Sequence, residues 1–359
     1  MHYVFYISSH GHGHAVRESF LINMIPDDIN VTIVSTVEES FFQDEITRPY
    51  NLRQISYDAG VVQFDALQID MVATLASIET QIEFNRENLL HEVAWIQAND
   101  VTLLISDSNP WVGKLASQAE VASTLISNFT WVDILEPYQN ERHAFNSIIS
   151  EMRDDLKEFT SVIELSPTME SVHNAGGNHI TEQMLYREGF SRPQELREIL
   201  GLSLGVKIAL LYVGVYGLDE AAWQELEEYD NWHFISLYDI PVSASNFTKI
   251  DKTLWTMQDF SASVDVVIAK LGYNTVVEAL TAATPMLYIP RPSFSESFAL
   301  EEYLSQHGSC FELSEEEFRS MKWQHKLETL VTCKELAHQA GSMTDIIAEL
   351  NSIAEKGVK

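Results

Sequence analysis

Residues 8–19 read SSHGHGHAVRES, with histidines at 10, 12 and 14 alternating with Gly11 and Gly13, and an arginine at 17. An imidazole titrates near neutrality, so a histidine where a strand ends and a helix begins can take a proton from a hydroxyl or from water. His14, nearest the helical pattern that follows, is the first candidate for that base and His12 the second. Arg17, one turn on, is placed to orient the base or to bind an anion. Glycines in a strand–loop–helix setting, Gly13 among them, let backbone approach a ligand beside the helix N–H groups. Two other readings stay open. Histidines at i, i+2 and i+4 converge on a metal only from an extended segment, and no nearby cysteine or carboxylate completes a set. The histidines could also simply cap the helix or the strand end. The run is neither a dinucleotide fingerprint, which needs a third glycine, nor a P-loop, which needs G-K-[ST].

A second constellation occupies residues 265–304, DVVIAKLGYNTVVEALTAATPMLYIPRPSFSESFALEEYL. A buried strand ends at Lys270, the loop LGYNT (Gly272, Tyr273, Asn274, Thr275) follows, and VVEALTAA reads as a helix. Asn274 or Thr275 is expected to cap that helix, leaving its N-terminus at the strand end, where a phosphate binds. Glu278, near the end of the first turn, offers a carboxylate that can accept two hydrogen bonds from ribose hydroxyls. The next strand ends at IPRPSFSE, which puts Arg291, Ser293, Ser295 and Glu296 on the same rim. The plainer alternative is that Glu278 complements the helix dipole and Lys270 is a solvated strand end.

These loops need sheets to hold them. The 359 residues suit two domains. Short β-rich runs alternate with amphipathic stretches, which predicts α/β domains with largely parallel sheets. Strands are expected at 3–8, 30–36, 52–57, 101–107, 122–128 and 162–167, with helices at about 15–25, 66–97, 111–119 and 139–157. The rhythm restarts with strands at 206–214, 232–238, 252–257, 265–270 and 285–291 and helices at 218–229, 274–282 and 296–307. A short strand at SCFEL and two closing helices finish the chain. Residues near 175–200 read as a connector without a clear strand, so the domains are expected at 1–182 and 183–359, the last helix being a candidate to return to the first. Two doubly wound, Rossmann-like domains facing across a cleft are expected, with ligands at the carboxyl ends of their strands.

The charge narrows the partners. With 22 lysines and arginines against 53 aspartates and glutamates, the net charge is −31. Such a field repels nucleic acid and anionic lipid. No stretch approaches the roughly 18 apolar residues of a membrane helix, and the N-terminus lacks a signal-peptide pattern, so no membrane insertion and a cytoplasmic location are expected. Cys310 and Cys333, without C-x-x-C spacing, read as reduced structural thiols.

Against that frame the motifs become specific. G-x-x-T-x-x-E (Gly272, Thr275, Glu278) before a proline-led strand resembles the donor-nucleotide motif of GT-B glycosyltransferases, among them the N-acetylglucosaminyltransferase of peptidoglycan synthesis. K-x-G-Y-x-T-x-x-E-A with a later R-x-x-F-x-E resembles a bacterial group of predicted glycosyltransferases and the amino-terminal half of plant arabinokinases. In these a G-H-G-x-G-H-A-x-R loop opens the chain, matched here by Gly11 to Arg17. SDSNPWVGKLASQAEVASTLISNFTW (106–131) also resembles that group's aspartate–proline strand end and N-F-x-W segment. The matches fall in both domains. Departures are Ser8 and Ser9 in place of a glycine pair, Leu271 where proline is common, and YVGVYG (212–217) without a full glycine cluster.

The resemblance implies a UDP- or dTDP-sugar as co-substrate, with no other cofactor and no metal. Glu278 would take the ribose, while Gly214, Gly217 and the loop from Lys270 to Thr275 would hold the diphosphate. Arg291 and Glu296 would contact the donor sugar. A small, soluble acceptor would sit on the first domain, where His14 deprotonates its hydroxyl and Asp107, ending a strand, orients that histidine or the acceptor. Single displacement implies inversion. Two rivals share the motifs: the UDP-sugar hydrolase of pseudaminic acid synthesis, in which a histidine activates water, and a non-catalytic nucleotide-sugar-binding protein. The oligomeric state is not legible.

Overall fold

Runs such as YVFY, LLIS and ASTLIS bury side chains on both faces, the signature of strands inside a parallel sheet covered by helices. The computed structural model describes residues 1–64, 68–140, 142–213, 221–251, 253–332 and 343–357. Two compact units emerge, and the strands of each are wholly parallel.

The first unit holds Met1–Gln63, Ile69–Leu185 and the closing helix Met343–Lys356. Its strands are β1 (His2–Tyr6), β2 (Asn30–Val34), β3 (Asn51–Arg53), β4 (Leu103–Ser106), β5 (Ala122–Ser127), β6 (Ser161–Leu165) and β7 (Asn178–Gln183). They form a 7-stranded sheet in the order β3-β2-β1-β4-β5-β6-β7. The order reverses between β1 and β4, which pair directly, Tyr6 opposite Ser106. Ligands of open α/β sheets bind outside the carboxyl ends of strands at such a reversal.

Four further helices cover this sheet. Met71–Ala98 is capped by Asp70, whose carboxylate accepts from the backbone of Val72 and Ala73 at 3.0 Å each. Trp111–Ala119 packs against Ala144–Leu156. The closing helix buries Ile346, Leu350 and Ile353, and its Asn351 accepts a 2.7 Å hydrogen bond from the Tyr3 hydroxyl.

The second unit, Phe64–Gln68 and Tyr186–Ala340, repeats the scheme in its described residues. Its strands are β8 (Lys207–Tyr212), β9 (Trp232–Ser236), β10 (Phe247–Lys249), β11 (Val266–Lys270), β12 (Met286–Ile289) and β13 (Cys310–Glu312). The sheet order is β10-β9-β8-β11-β12-β13, with the reversal between β8 and β11. Trp223, Phe234 and Trp323, almost wholly buried, anchor its core.

Three expectations need correction. The connector contains β7, which extends the first sheet beside β6. Its sequence NHITEQ alternates without a long apolar run, so pairing rather than hydrophobicity defines it. The strand expected at 252–257 is not one: the edge strand is β10, and Trp255 instead packs 5.4 Å from Phe260 of the helix Met257–Ser261. In place of a helix at 218–229, Trp223–Glu228 is a 3-10 turn, and residues 218–220 lie outside the described residues, as does Cys333. No helix of the described residues is long and apolar enough to cross a membrane.

Candidate active site

In the first unit, β1 runs into a loop that ends at Gly11, whose φ of 72° and ψ of 169° suit only glycine comfortably. That turn starts the helix His12–Met24 three residues earlier than expected, so His12, Gly13 and His14 form its first turn. His14 faces inward, its side chain 10% exposed, and its Nδ1 lies 2.7 Å from Asp107 Oδ2. Asp107 follows β4 directly and is buried, so both partners stand at the reversal of strand order. The Asp107 carboxylate also accepts from the Ser108 hydroxyl at 3.0 Å and the Ser8 N–H at 3.4 Å. Burial works to raise its pKa, but the neighbouring His14 and Arg17 outweigh burial and hold it below the ordinary range. An ionised Asp107 can only accept, so Nδ1 of His14 carries the proton and Nε2 is the basic nitrogen.

Arg17 is buried rather than facing solvent. Its guanidinium donates to Asn128 Oδ1 at 3.1 Å and to the Asp107 carbonyl at 3.3 Å, and its Nε to Glu18 at 3.4 Å. Glu18 is fully buried, and desolvation pushes its carboxyl up to about 8 against the opposing pull of Arg17. His12 turns away to an exposed position, 3.7 Å from Glu38 and stacked on Phe41 at 4.9 Å. Gly13 is exposed on the same turn. Among the described residues no three His, Cys, Asp or Glu side chains are grouped as a metal-ligand set.

Sequence reasoning noted the N-F-x-W segment as a motif but did not place its Phe129 and Trp131 as the wall beside His14. Phe129 and Trp131 place their rings 5.8 and 6.0 Å from the imidazole. Trp131 Nε1 donates to Asp58 Oδ2 at 2.9 Å, and the Gly60 N–H donates to Asp58 Oδ1 at 3.0 Å. Burial raises the Asp58 carboxyl above its usual range despite these bonds. Gly60 has a φ of 58°, and a Cβ there would stand 2.8 Å from the His10 Cβ, so the D-A-G turn at 58–60 was the available signal.

In the second unit, the helix expected to be capped by Asn274 or Thr275 begins at Tyr273 behind Gly272, and no side chain caps it. Gly272 is extended, so Asn274 and Thr275 already lie inside the first turn, with Tyr273 and Thr275 buried. Lys270 ends β11, and burial, with Arg291 adding repulsion, pushes its ammonium down to about 8. Arg291 follows β12, and burial brings it to about 10 while Glu296 opposes the shift. Its guanidinium lies 3.5 Å over the Phe294 ring. Lys270 is therefore no solvated strand end. Glu278 is buried, and its Oε1 accepts from Arg187 Nε at 3.0 Å and Nη2 at 2.8 Å. Arg187 comes from the connector and no motif announced it. Gly214 and Gly217 lie outside the described residues.

Two parallel sheets with alternating helices, each reversing at its first strand, define the GT-B fold. The UDP-glucosyltransferase from Polygonum tinctorium that glucosylates indoxyl superposes with a TM-score of 0.62 at 13% identity, over 99% of this chain and 98% of that one. Glycosyltransferase VinC in complex with dTDP gives 0.57 at 14% identity, over 99% of this chain and 100% of that one. By sequence the chain is similar to L-arabinokinase of Arabidopsis thaliana, 26% identical over 348 residues, 92% of this chain. It spans only 32% of that relative's length. No protein-family model matches the chain.

Proposed function

We propose that the protein is a glycosyltransferase that moves a sugar from a UDP- or dTDP-sugar to a hydroxyl of a small-molecule acceptor, with His14 as general base. The observation that carries this reading is the His14–Asp107 contact of 2.7 Å at the strand reversal of the first unit. Asp107 fixes the ring and stabilises the imidazolium that forms; Nε2 takes the acceptor's proton as its oxygen bonds to the anomeric carbon. The bond from that carbon to the diphosphate breaks, and the sugar inverts. The departing diphosphate is assigned to the second unit, where Lys270, Arg291 and the helix start behind Gly272 supply positive charge without a metal. Glu278, steadied by Arg187, is assigned to the ribose, and Glu296 to the donor sugar. The nucleotides named with the fold neighbours support the donor class.

Nucleotide release from UDP- and dTDP-sugars, with and without acceptor alcohols, tests the reading. The wild type is expected to release nucleotide only with acceptor, and His14→Ala to slow it about 10²–10⁴-fold. Full-rate release without acceptor identifies a hydrolase, and none under any condition a binding protein. If His14→Ala keeps wild-type turnover, the base lies elsewhere, with His12 next to test. Activity lost to a chelator and restored by zinc returns the loop to the metal reading.

A further inference from the structure

The carboxylate of Glu278 is already in use before any nucleotide arrives. Glu278 lies in the helix Tyr273–Thr281 with its side chain 3% exposed, and Arg187, at 16%, lies on its outer side. Nε and Nη2 of that arginine both donate to the same oxygen, Oε1, at 3.0 and 2.8 Å. A carboxylate oxygen offers two lone pairs, so two N–H donors fill Oε1. The pair stands at the reversal of strand order in the second sheet. Tyr212, which ends β8 there, feels both charges: burial, then Tyr238 and Glu278, raise the pKa of its hydroxyl, and Arg187 opposes them.

The backbone that delivers Arg187 is fixed. A Cβ at Gly189 would stand 2.1 Å from the Gln258 carbonyl oxygen, so the chain lies directly against the helix Met257–Ser261. The Phe190 N–H donates to Asp259 Oδ1 at 2.8 Å and the Arg192 N–H to Ser263 Oγ at 2.9 Å. The Arg192 guanidinium lies 3.8 Å from Asp259. Arg187 can therefore leave Glu278 only by rotating its own side chain, with the backbone beside it held. Two vicinal ribose hydroxyls engage a carboxylate by donating one to each oxygen. Receiving both means displacing the guanidinium from Oε1, and a buried ionic hydrogen bond is costly to break. A 2′-deoxyribose brings one hydroxyl and contests Oε1 less.

We propose that Arg187 is a donor-specificity residue: by filling Oε1 of Glu278 it disfavours a ribose cis-diol and favours a 2′-deoxynucleotide, an assignment that rests on the transferase reading above, which gives Glu278 to the ribose. Arg187 thereby selects dTDP-sugars over UDP-sugars. The selection comes from a residue outside the helix that carries the carboxylate, so the helix sequence alone does not set it.

Calorimetry on the full chain with UDP and 2′-deoxy-UDP, which differ only in one hydroxyl, tests this selection. The wild type is expected to bind 2′-deoxy-UDP more tightly than UDP. Arg187→Ala is expected to move the ratio of the two dissociation constants toward UDP by about tenfold, the worth of one charged hydrogen bond. Arg187→Lys keeps the charge without the two-nitrogen fork and is expected to move it less. Thermal unfolding checks that each variant folds, and the lysine variant carries the comparison where alanine does not. A wild-type preference for UDP, a ratio unchanged in the folded variants, or one that moves further toward 2′-deoxy-UDP overturns the proposal. Glu278→Gln separates the two readings. Weaker binding of both nucleotides in that variant, with a ratio indifferent to Arg187, keeps Glu278 at the ribose and removes the selection by Arg187. Binding of neither nucleotide by the wild type, or binding indifferent to Glu278→Gln, overturns the donor-site assignment and the selection with it.

Discussion

The carboxyl ends of β1 and β4 and those of β8 and β11 occupy equivalent places in two sheets that share a strand order, yet they carry opposite chemistry. At the first, carboxylates gather: buried Asp107 holds His14, buried Glu18 meets Arg17, and half-buried Asp58 takes the Trp131 N–H. At the second, cations lead: Lys270 closes β11, Arg291 follows β12, and Arg187 reaches Glu278. Gly11 and Gly272 each open a helix without a side-chain cap. The common skeleton supplies a helix start beside a strand end. On the proposed reading, the sign of the residue at the strand end decides whether that place manages a proton or an anion.

Breaking the proton-handling end has the largest expected effect. Asp107→Asn keeps the shape but can donate to His14, which turns the tautomer and removes the compensating charge. Turnover is expected to fall about 10³-fold while nucleotide affinity, measured by calorimetry, stays at the wild-type value. Equal losses in both would mean that the two ends are not separate in function.

Breaking the anion-holding end is expected to act on affinity. Lys270→Met removes a charged partner worth about 1.5–3 kcal/mol, so nucleotide binding weakens roughly 10–150-fold. The same residue gives a pH signature. Burial lowers the Lys270 ammonium to about 8, so the free protein loses that cation as pH rises from 7 to 9. Donor kcat/KM is expected to fall through this window in the wild type, and the contribution of Lys270 to be missing in Lys270→Met. A wild-type profile flat through it would take Lys270 out of the site.

The smallest effect concerns stability. The fold raises the Glu18 carboxyl from 4.5 to about 8, so its neutral form is favoured in the folded state. That contribution is full below about 4.5 and is lost as pH rises through about 8. Glu18→Gln keeps a neutral group there, so its melting temperature is expected to exceed the wild type's by about 2–4 °C at pH 9 and to match it near pH 4. A lower melting temperature at pH 9 would show that the Arg17 pairing outweighs desolvation.

Much of the fold was legible because its central strands are buried on both faces and read as continuous apolar runs. Edges were not. β7 and β10 owe their existence to pairing with a neighbour, and the apolar Trp255 marked core rather than strand. His14 and Asp107 were visible because one stands a loop after β1 and the other follows β4 directly. The resemblance carried to GT-B enzymes was met by the fold. Arg187 was invisible, since its bond to Glu278 spans 91 positions and no local pattern encodes it. The helix cap was misread for a simpler reason: Asn274 and Thr275 are good caps by type, but an extended Gly272 starts the helix before either.

The bond from Tyr3 to Asn351 joins positions 348 apart, so the first strand of the first unit is covered in part by a helix made only after the second unit. A ribosome adding roughly 5–20 residues per second needs about 10–30 s to travel from the end of that unit's main body to the helix that completes it. For that interval the surface destined for Ile346, Leu350 and Ile353 is bare, and the nascent first unit depends on staying soluble while the second is built.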